Sequence, residues 1–424
     1  MSGSLKKIAL IIGLASLEIP QVHTQVLIDS LIREAIQHHP KIHAIQHNYE
    51  AYRFQAKQKK SWPTPDVGFE LFQMPASNFP IPVKGNMETD YFIQQMIPWP
   101  GKLEAMSEAA HYTAEIQKTM IASAQLNIER DARVAFFELC MINERRRNNA
   151  NAQRTLEQLL QLSLKRYEVG QITQADILQI ENERLALENK AFELEKDRRV
   201  TESMLNGVLG NNEIRWPDSI PVDWTNNFSV VLDTLIQNTL PKKPEIQGMN
   251  HEIAMFTAEK KAAHREWFPD IMVRGMYKDM SMGKNYWSLM LSANIPFAPW
   301  SRGSLDARIK ELDMHIKHGA MEIENMKIMI TSEARSAIER IKSSRRQAEQ
   351  IEQRILPHYE AAYQSMMISF QTGKADTAML LSMLRMIYMT KDDLVMALAG
   401  SKMAEADFYK AIGTSNMKSE AHHD

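Results

Sequence analysis

Three methionines on one face of a predicted helix could bind a soft metal ion. Met379, Met383 and Met386 are spaced at i, i+4 and i+7, and the chain contains 28 methionines in all. Thioether sulfur is a ligand for Cu(I) and related soft ions. Methionine also fills gaps in helical cores, and we predict packing, not metal binding, for these three side chains.

Three histidines recur at steps of four near the start of the chain. His39, His43 and His47 would share one helix face and could bind a divalent cation. No carboxylate or thiolate within the motif completes a ligand set. We therefore predict a solvated face and no metal site.

No catalytic constellation is recognisable in the sequence. It contains no glycine-rich phosphate loop, no nucleophile elbow and no His-Glu-x-x-His motif. Cys140 is the only cysteine, which excludes a disulfide framework and a cysteine-based zinc cluster. A formal charge of -2 gives no basic field that would attract nucleic acid. We predict that the chain is not an enzyme, needs no cofactor and does not bind nucleic acid.

The elements that position these residues occur twice. Residues 26–42 align with residues 230–246 at an offset of 204. Near the end of each half the offset is 203, and it pairs Gly170, Leu178, Leu185, Phe192 and Gly210 with Gly373, Leu381, Tyr388, Val395 and Gly413. A duplicated unit of this length predicts a pseudo-symmetric assembly and not an enzyme built around one cleft.

Both repeats have the same predicted order of elements, which is a helix, two strands and two long helices. In the first repeat, residues 25–226, the helices are 28–60, 102–167 and 172–208 and the strands are 65–74 and 88–97. In the second repeat, residues 227–413, the helices are 230–266, 303–370 and 375–412 and the strands are 269–280 and 285–295. Residues 414–424 are predicted to form a disordered tail.

The last two helices of each repeat are too long for a compact globule. A helix of about 65 residues extends about 95 Å. The residues Leu178, Leu185 and Phe192 recur at steps of seven, and the second repeat has the same heptad. A seven-residue period indicates coiled-coil packing between helices. These segments therefore predict a rod or a tube.

The strands alternate between apolar and polar residues. The clearest alternation is in the fourth strand, where Trp287, Leu289 and Leu291 alternate with Ser288, Ser292 and Asn294. This pattern is typical both of transmembrane barrel strands and of a sheet packed on a soluble core. In a membrane barrel the first three residues would face lipid and the other three the lumen.

Four strands cannot close a barrel, and lipid does not tolerate open strand edges. Three copies would supply twelve strands and a ring of helices. The predicted fold class is therefore mainly α with a small β part. It consists of a duplicated helix–β-hairpin–helical-hairpin unit, assembled as a trimeric twelve-stranded barrel that an α-helical barrel continues.

Three segments carry a family resemblance. They are Gln-Met-Ile-Pro-Trp-Pro-Gly-Lys at 95–102, Tyr-Glu-Val-Gly-Gln-Ile-Thr-Gln-Ala-Asp-Ile-Leu at 167–178, and Ile-Leu-Pro at 355–357 followed by Tyr363, Phe370 and Gly373. In this order and duplicated, they make the chain resemble the outer-membrane efflux protein (TolC-like) family along essentially its whole mature length. The first segment is most similar to the branch that serves heavy-metal efflux pumps.

The resemblance implies a location and partners. The family forms homotrimers in the outer membrane of Gram-negative-type bacteria, where lipid surrounds the barrel and the helical barrel extends into the periplasm. Its members dock onto a periplasmic adaptor and an inner-membrane pump of the resistance–nodulation–division type. The expected function is a passive exit duct for heavy-metal cations. Drugs, other organic compounds or secreted polypeptides are alternative cargoes, and a periplasmic coiled-coil adaptor without a pore is an alternative of another class.

The resemblance also implies sites near the two hairpin tips. In the family an aspartate often lies six residues after the tip glycine and narrows the periplasmic mouth. Asp176 keeps this spacing from Gly170, whereas Met379 holds the matching position in the second repeat and Asp376 lies one turn earlier. We expect these three residues at the gate. We expect the adaptor to dock at Gly170, Gln171, Gly373 and Lys374.

The N-terminus has the pattern of an export signal over residues 1–24. Lys6 and Lys7 precede ten uncharged residues, a run too short to span a bilayer as a helix. A buried N-terminal helix is the alternative. No cysteine follows this segment, so we expect no acyl anchor.

Overall fold

The computed structural model describes residues 22–72, 88–224, 228, 232–281 and 283–415. Within these ranges the chain is mainly helical and has one four-stranded sheet, as the sequence predicted. Most of the predicted signal segment and most of the predicted tail lie outside the described residues.

The first repeat contains four helices and two strands in the described ranges. The helices are α1 (Val22–His38), α2 (Pro40–Lys60), α3 (Lys102–Glu168) and α4 (Gln174–Leu209). The strands are β1 (Asp66–Phe72) and β2 (Glu88–Ile97).

The second repeat follows the same order. Its helices are α5 (Leu232–Thr239), α6 (Pro244–Arg265), α7 (Pro299–Gln350), α8 (Leu356–Gln371) and α9 (Thr377–Ile412). Its strands are β3 (Ile271–Met280) and β4 (Tyr286–Ala293). A short 3-10 helix, Leu240–Lys242, follows α5, and a π-helical turn, Ile351–Ile355, precedes α8.

Three helices that the sequence predicted as continuous are interrupted at or just before prolines. The predicted helix 28–60 breaks before Pro40, the helix 230–266 breaks around Pro241 and Pro244, and the helix 303–370 widens into the π turn before Pro357. Proline lacks the N–H group that a helix interior needs and its ring crowds the preceding turn. At the π turn the Leu356 N–H donates to the Ile351 carbonyl, five residues back, and the helix continues beyond it.

The described residues form two compact units, and both repeats contribute to both of them. The hairpin unit takes its residues from 1–42, 124–240 and 329–424, and the sheet unit from 43–123 and 241–328. The hairpin unit contains the two helical hairpins, α3–α4 and α8–α9. The sheet unit contains the four strands with the helices next to them in the chain.

The sheet is antiparallel in the order β1-β2-β3-β4. One cross-strand row shows the register, since Phe69 pairs with Tyr91, Tyr91 with Tyr277 and Tyr277 with Trp287. The central pair, β2 and β3, joins the hairpin of one repeat to the hairpin of the other. In the described ranges β1 and β4 each have a strand neighbour on one side only.

The Pro-Trp-Pro-Gly-Lys segment after β2 fastens the two repeats at one end of the sheet. The Trp99 ring stacks on Phe268 with 4.9 Å between the ring centroids. The Trp99 N–H and the Lys102 ammonium donate to the two carboxylate oxygens of Asp270 at 2.8 and 2.7 Å. The segment that carried the family resemblance therefore has a structural role.

The core of the hairpin unit near the two tips is formed by both hairpins together. Leu156 and Ile180 of the first hairpin and Phe370, Leu380 and Leu384 of the second belong to one buried apolar cluster. Cys140, which the sequence placed in an apolar helical stretch, is buried in a second cluster. Burial raises the pKa of the Cys140 thiol well above its ordinary range.

Candidate functional site at the hairpin tips and on the sheet

Each helical hairpin turns at a glycine with a left-handed backbone. Gly170 has φ 73° and Gly373 has φ 76°, a region that side chains with a Cβ adopt at a cost. The next residues complete the turns, because the Gln171 N–H donates to the Arg166 carbonyl at 2.9 Å and the Lys374 N–H to the Ser369 carbonyl at 2.8 Å. All four residues predicted to contact an adaptor are exposed.

Asp176 is the third residue of α4 and completes a capping box with Thr173, the N-cap residue. Its carboxylate accepts hydrogen bonds from the Thr173 N–H at 2.8 Å and the Thr173 hydroxyl at 2.7 Å, and the Thr173 hydroxyl accepts from the Asp176 N–H. Partial burial raises the pKa of Asp176, but these hydrogen bonds and the charge of Arg166 outweigh it, so the pKa lies below its ordinary value. The carboxylate is therefore ionised at neutral pH.

Asp376 lies at the start of α9, where it holds the position that Thr173 has in the first repeat. Its side chain accepts a hydrogen bond from the Met379 N–H at 2.8 Å, which makes it the N-cap residue. Asp376 and the Met379 side chain are both exposed. The two acidic residues predicted at the gate thus both take part in helix capping, Asp376 as the N-cap of α9 and Asp176 as the partner of the N-cap of α4.

Arg166 joins the two tips, and the sequence analysis did not identify it. Its side chain is mostly buried, with the guanidinium over the Phe370 ring at 4.4 Å from the centroid. One nitrogen donates to the Phe370 carbonyl and another to the Gln171 side chain at 3.1 Å. One cation on the first hairpin therefore holds the last turn before Gly373 on the second.

A second connection lies farther from the tips. The Glu183 carboxylate on α4 is almost buried and accepts hydrogen bonds from the Arg385 guanidinium and the Tyr388 hydroxyl on α9. Burial raises the pKa of Glu183, but the hydrogen bonds from Arg385 and Tyr388 and the charge of Arg385 lower it by more. The pKa therefore lies below its ordinary value. We call these three residues the Glu183 cluster.

The sequence does contain a signal for the Glu183 cluster. Ile180, Leu187 and Leu194 recur at steps of seven on α4 and are buried, and Glu183 lies on the same face. A carboxylate on an apolar helix face needs a partner, because unpaired burial of a charge is costly. The coiled-coil prediction rested on a different heptad of α4, Leu178, Leu185 and Phe192, and did not include this face.

That other heptad, which we call the α4 stripe, is uncovered in the single chain. Leu178, Leu185 and Phe192 are 55%, 52% and 68% exposed. Their counterparts on α9 are covered, since Leu381 is buried and Tyr388 and Val395 are half-buried. The predicted coiled-coil packing thus occurs within the chain for the second repeat, and the chain leaves the first repeat's stripe open.

The methionines of α9 lie mostly on an open face. Met379 and Met386 are exposed together with Met389 and Met396 farther along the helix, and we call these four residues the methionine face. Met383 is half-buried. The prediction that Met379, Met383 and Met386 pack in a core is therefore not met inside one chain for Met379 and Met386.

The three residues predicted to face lipid lie together on one side of the sheet. Trp287, Leu289 and Leu291 are 81%, 70% and 67% exposed, and the pairing places Tyr277 beside Trp287 and Val273 beside Leu291 on the same side. These side chains form an apolar surface that no other described residue of the chain covers.

The other side of the sheet is charged. Lys278 forms ion pairs with Glu88 at 2.6 Å and with Asp90 at 2.9 Å. The Arg274 guanidinium lies 3.9 Å from the centroid of the Phe92 ring and 3.6 Å from the Glu70 carboxylate. Ser288 and Ser292, which were predicted to face a lumen, belong to this side.

Asn294 does not belong to the sheet as predicted, because β4 ends at Ala293. Its side-chain oxygen accepts a hydrogen bond from the Asp270 N–H at 2.7 Å. Pro296, two residues later, lacks the N–H that would continue the pairing. Asn294 therefore ends the strand and fixes the start of the β3 segment.

The predicted histidine face is broken. His39 lies between α1 and α2, and its ring accepts a hydrogen bond from the Lys41 N–H, whereas the ring of His43 contacts the Gln46 side chain. Among the described residues no group of three His, Cys, Asp or Glu side chains is arranged to hold a metal ion.

None of the helices in the described ranges has a stretch both long and apolar enough to cross a membrane.

The family model described as outer membrane efflux protein matches residues 31–211. A curated relative, the cobalt-zinc-cadmium resistance protein CzcC of Cupriavidus metallidurans, is 21% identical over 281 residues. The matching part covers 65% of this chain and 65% of that relative, which is slightly less than two thirds of its length.

Solved structures show the same fold over almost the whole chain. The outer membrane protein VceC of Vibrio cholerae has a TM-score of 0.76 at 15% identity, covering 93% of this chain and 98% of VceC. CusC, whose crystal structures concern transmembrane channel formation, has a TM-score of 0.75 at 15% identity, covering 92% of each chain. The outer membrane channel CmeC of Campylobacter jejuni has a TM-score of 0.75 at 13% identity, covering 93% of this chain and 88% of CmeC.

These findings confirm the predicted fold class. The chain is similar to the outer membrane efflux protein family, as predicted, through the family model over residues 31–211 and through CzcC.

Proposed function

We propose that this chain is an outer membrane efflux protein and that three copies of it form the exit duct of a tripartite efflux system. The duct is passive, and it conducts heavy-metal cations that an inner-membrane resistance–nodulation–division pump and a periplasmic adaptor deliver. The barrel crosses the outer membrane and the helical hairpins line a periplasmic tunnel.

The sheet is the observation that carries this proposal. One side is apolar and exposed, the other side is charged, and the edges of β1 and β4 are free in the described ranges. An open edge in lipid leaves unsatisfied backbone groups that each cost several kcal/mol. Pairing β4 of one copy with β1 of the next, three times, satisfies every edge and turns the charged side toward water.

A pair of arginine substitutions tests the two sides of the sheet. Leu289→Arg puts a charge on the apolar side and costs about 2–4 kcal/mol if the position is near the bilayer midplane, whereas Ser292→Arg on the other side is tolerated. Native mass spectrometry in detergent measures the yield of trimer. Equal yields for the two variants, or a folded wild-type monomer, would contradict the membrane barrel.

At the periplasmic end, Asp176, Asp376 and Met379 form the proposed gate. Threefold symmetry turns each aspartate into a ring of three carboxylates. The three carboxylates of a ring repel one another, and together they attract cations. The Arg166 contacts and the Glu183 cluster support this proposal, because they hold the two hairpins of one chain together just behind the mouth.

The capping contacts allow the charge of the gate to be tested apart from its structure. Asparagine caps helices as well as aspartate does, whereas alanine does not. In Asp176→Asn combined with Asp376→Asn, Thr173 remains the N-cap of α4 and asparagine becomes the N-cap of α9. The double variant should therefore keep both caps, reduce block by multivalent cations and raise single-channel conductance in planar bilayers. The matching double alanine variant reports the additional effect of losing the Asp376 cap and the contacts of Asp176 with Thr173. Unchanged conductance and block in the asparagine variant would leave the aspartates with a capping role only.

We place adaptor docking at Gly170, Gln171, Gly373 and Lys374. These residues are exposed at the turns, where the chain presents two similar surfaces per copy. A photoreactive amino acid at Gln171 or Lys374 should cross-link to the adaptor in cells. The same probe at exposed Glu188, farther along α4, serves as the control.

The cargo class rests on the relative CzcC, which is named for cobalt, zinc and cadmium resistance. Deletion of this protein should increase sensitivity to divalent metals, and the wild-type chain should restore resistance. If the deletion strain became sensitive to drugs or organic compounds but not to metals, the proposed cargo would be wrong and the proposed exit duct would still stand.

A further inference from the structure

The two helical hairpins superimpose in sequence without a gap around their tips. Gly373 follows Gly170 by 203 residues, and α4 and α9 have the same length of 36 residues. Each helix begins after a capping residue, Thr173 or Asp376, and ends at a left-handed glycine, Gly210 or Gly413. A residue of the first hairpin can therefore be matched to its counterpart in the second.

Matched residues differ consistently in exposure. Tyr167 is 45% exposed, whereas its counterpart Phe370 is fully buried. Leu178 is 55% exposed and Leu381 is buried. The same difference separates Leu185 and Phe192 from half-buried Tyr388 and Val395. One apolar face exists in both repeats, and within the chain it is covered only in the second.

The structure shows what covers this face in the second repeat, namely the opposite side of the first hairpin. Arg166 lies over Phe370, and Glu183 accepts a hydrogen bond from Tyr388. Buried Ile180 and Leu187 on the same side of α4 as Glu183 complete the contact. A helix such as α4 thus has two apolar sides, of which one covers α9 and the other, the α4 stripe, is open.

The matching side of the second hairpin is open as well. Counting 203 residues from Glu183 gives Met386, which belongs to the methionine face and is 39% exposed. The same count from Arg166 gives Ser369 and from Ile180 gives Met383. A single chain therefore has two exposed apolar faces, the α4 stripe on the first hairpin and the methionine face on the second. Inside the chain, the matching pair of faces already packs together.

We infer that, in the assembled protein, the methionine face on α9 of a second copy of this chain covers the α4 stripe. The repeat also supplies the register. Each residue of an internal contact is replaced by its counterpart 203 residues away. The internal contact of Glu183 with Tyr388 then predicts a contact between the partner's Met386 and Leu185. In the same way, the internal contact of Arg166 with Phe370 predicts a contact between the partner's Ser369 and Tyr167. This inference rests on the proposed assembly of several copies and adds which residues meet between them.

The two kinds of contact differ in chemistry. Inside the chain, a carboxylate and a guanidinium fix the hairpins at Glu183 and Arg166. Between copies, a thioether and a hydroxyl take these positions. The contact between copies is therefore apolar at the position of Glu183 and lacks an ionic connection at both positions.

Cysteine cross-linking tests the register. Leu185→Cys combined with Met386→Cys should give covalent dimers and trimers when outer-membrane fractions are treated with a short bifunctional thiol reagent, seen on a denaturing gel. The native Cys140 is buried and remains in place. The control pair, Leu185→Cys with Met396→Cys, uses the same face of α9 about 15 Å farther along the helix. We expect the first pair to cross-link about tenfold more, because it copies the internal side-chain contact of Glu183 with Tyr388 and the control pair is out of that register.

A second pair, Tyr167→Cys with Ser369→Cys, checks the register independently of methionine packing. Native mass spectrometry of each variant shows whether copies still assemble. A trimer in which neither pair cross-links more than the control overturns the inference and leaves the proposed function standing. Absence of any oligomer in the wild-type protein overturns both.

Discussion

The two helical hairpins have the same backbone geometry and different surfaces. Both turn at a left-handed glycine, and both begin their second helix with a side-chain cap. In the first hairpin, however, the face that contains Tyr167 and Leu185 is open, while the equivalent face of the second is covered. Duplication has preserved the positions where backbone conformation is constrained, and it has let the contact residues diverge.

The divergence concerns charge as well as exposure. Glu183 and Arg166 of the first hairpin correspond to Met386 and Ser369 of the second. The chain therefore fixes its own two hairpins to each other with polar groups, and it offers mainly apolar groups outward. Substitutions at matched positions can measure how far this difference extends.

The largest difference is expected at Phe370 and Tyr167. Phe370→Ala removes a fully buried ring and should lower the free energy of unfolding of the second hairpin by about 3–5 kcal/mol. Tyr167→Ala should cost less, because within one chain its ring is half exposed and only a contact with a second copy can cover it. Hydrogen exchange of the tip amides in the detergent-solubilised protein measures both. Equal losses would show that a second copy covers Tyr167 as completely as the chain itself covers Phe370.

The next effect concerns the Glu183 cluster. Arg385→Ala leaves an almost buried carboxylate with one partner fewer, and we expect α9 to lose about 2 kcal/mol of protection, since Arg385 itself is largely exposed. The matched substitution in the first repeat, Asn182→Ala, removes an exposed side chain and should change protection by less than about 0.5 kcal/mol. Hydrogen exchange along α4 and α9 separates the two outcomes. A similar loss for both would refute the asymmetry.

The tip glycines should behave alike. Alanine at Gly170 or Gly373 must adopt a left-handed conformation, which costs about 1–2 kcal/mol. An added Cβ has no neighbour within 4 Å at Gly170 and only the end of the Arg166 side chain, at 3.8 Å, at Gly373. We therefore expect equal losses of local stability by hydrogen exchange. A much larger loss of local stability at Gly373 would show that the Arg166 contact requires a residue without a Cβ at this position.

The smallest effect is a dependence on pH. The pKa of Glu183 is lower in the folded protein than its ordinary value of 4.5, so its contribution is fully present above that value. The contribution is lost as the pH falls through the lowered pKa. Protection of α9 should thus be constant from neutral pH to about 4.5 and decrease below it. Glu183→Gln should remove this part of the decrease; an unchanged profile would assign it to other carboxylates.

The sequence predicted the order of elements well, because strong local signals mark it. The bounds of β2 and the end of α4 are within one residue of the prediction, since Pro98, Gly101 and Gly210 punctuate the chain there. The interruptions at Pro40 and Pro357 were missed, although proline predicts them. The long apolar periodicity on both sides outweighed a single residue in our interpretation.

The contacts between the hairpins were harder to predict. A heptad shows that a helix face is apolar, and it does not show which neighbour covers that face. Leu178 and Leu381 have the same sequence signal and opposite burial. Arg166 was missed because Phe370, its partner on the other hairpin, lies 204 residues away in the chain, where no local pattern relates the two residues.

The π turn before α8 gives the second hairpin a place to bend. The first column, α3, is an uninterrupted helix of 67 residues, whereas the second column widens at Ile351–Ile355. An elastic rod bends where its stiffness is lowest, and a wide turn next to a proline is such a place. The tip at Gly373 lies about 27 Å beyond it. A rotation of about 10° at this joint would displace the tip by about 5 Å, so the segment acts as a lever arm that converts a small local torque into a displacement of the tip.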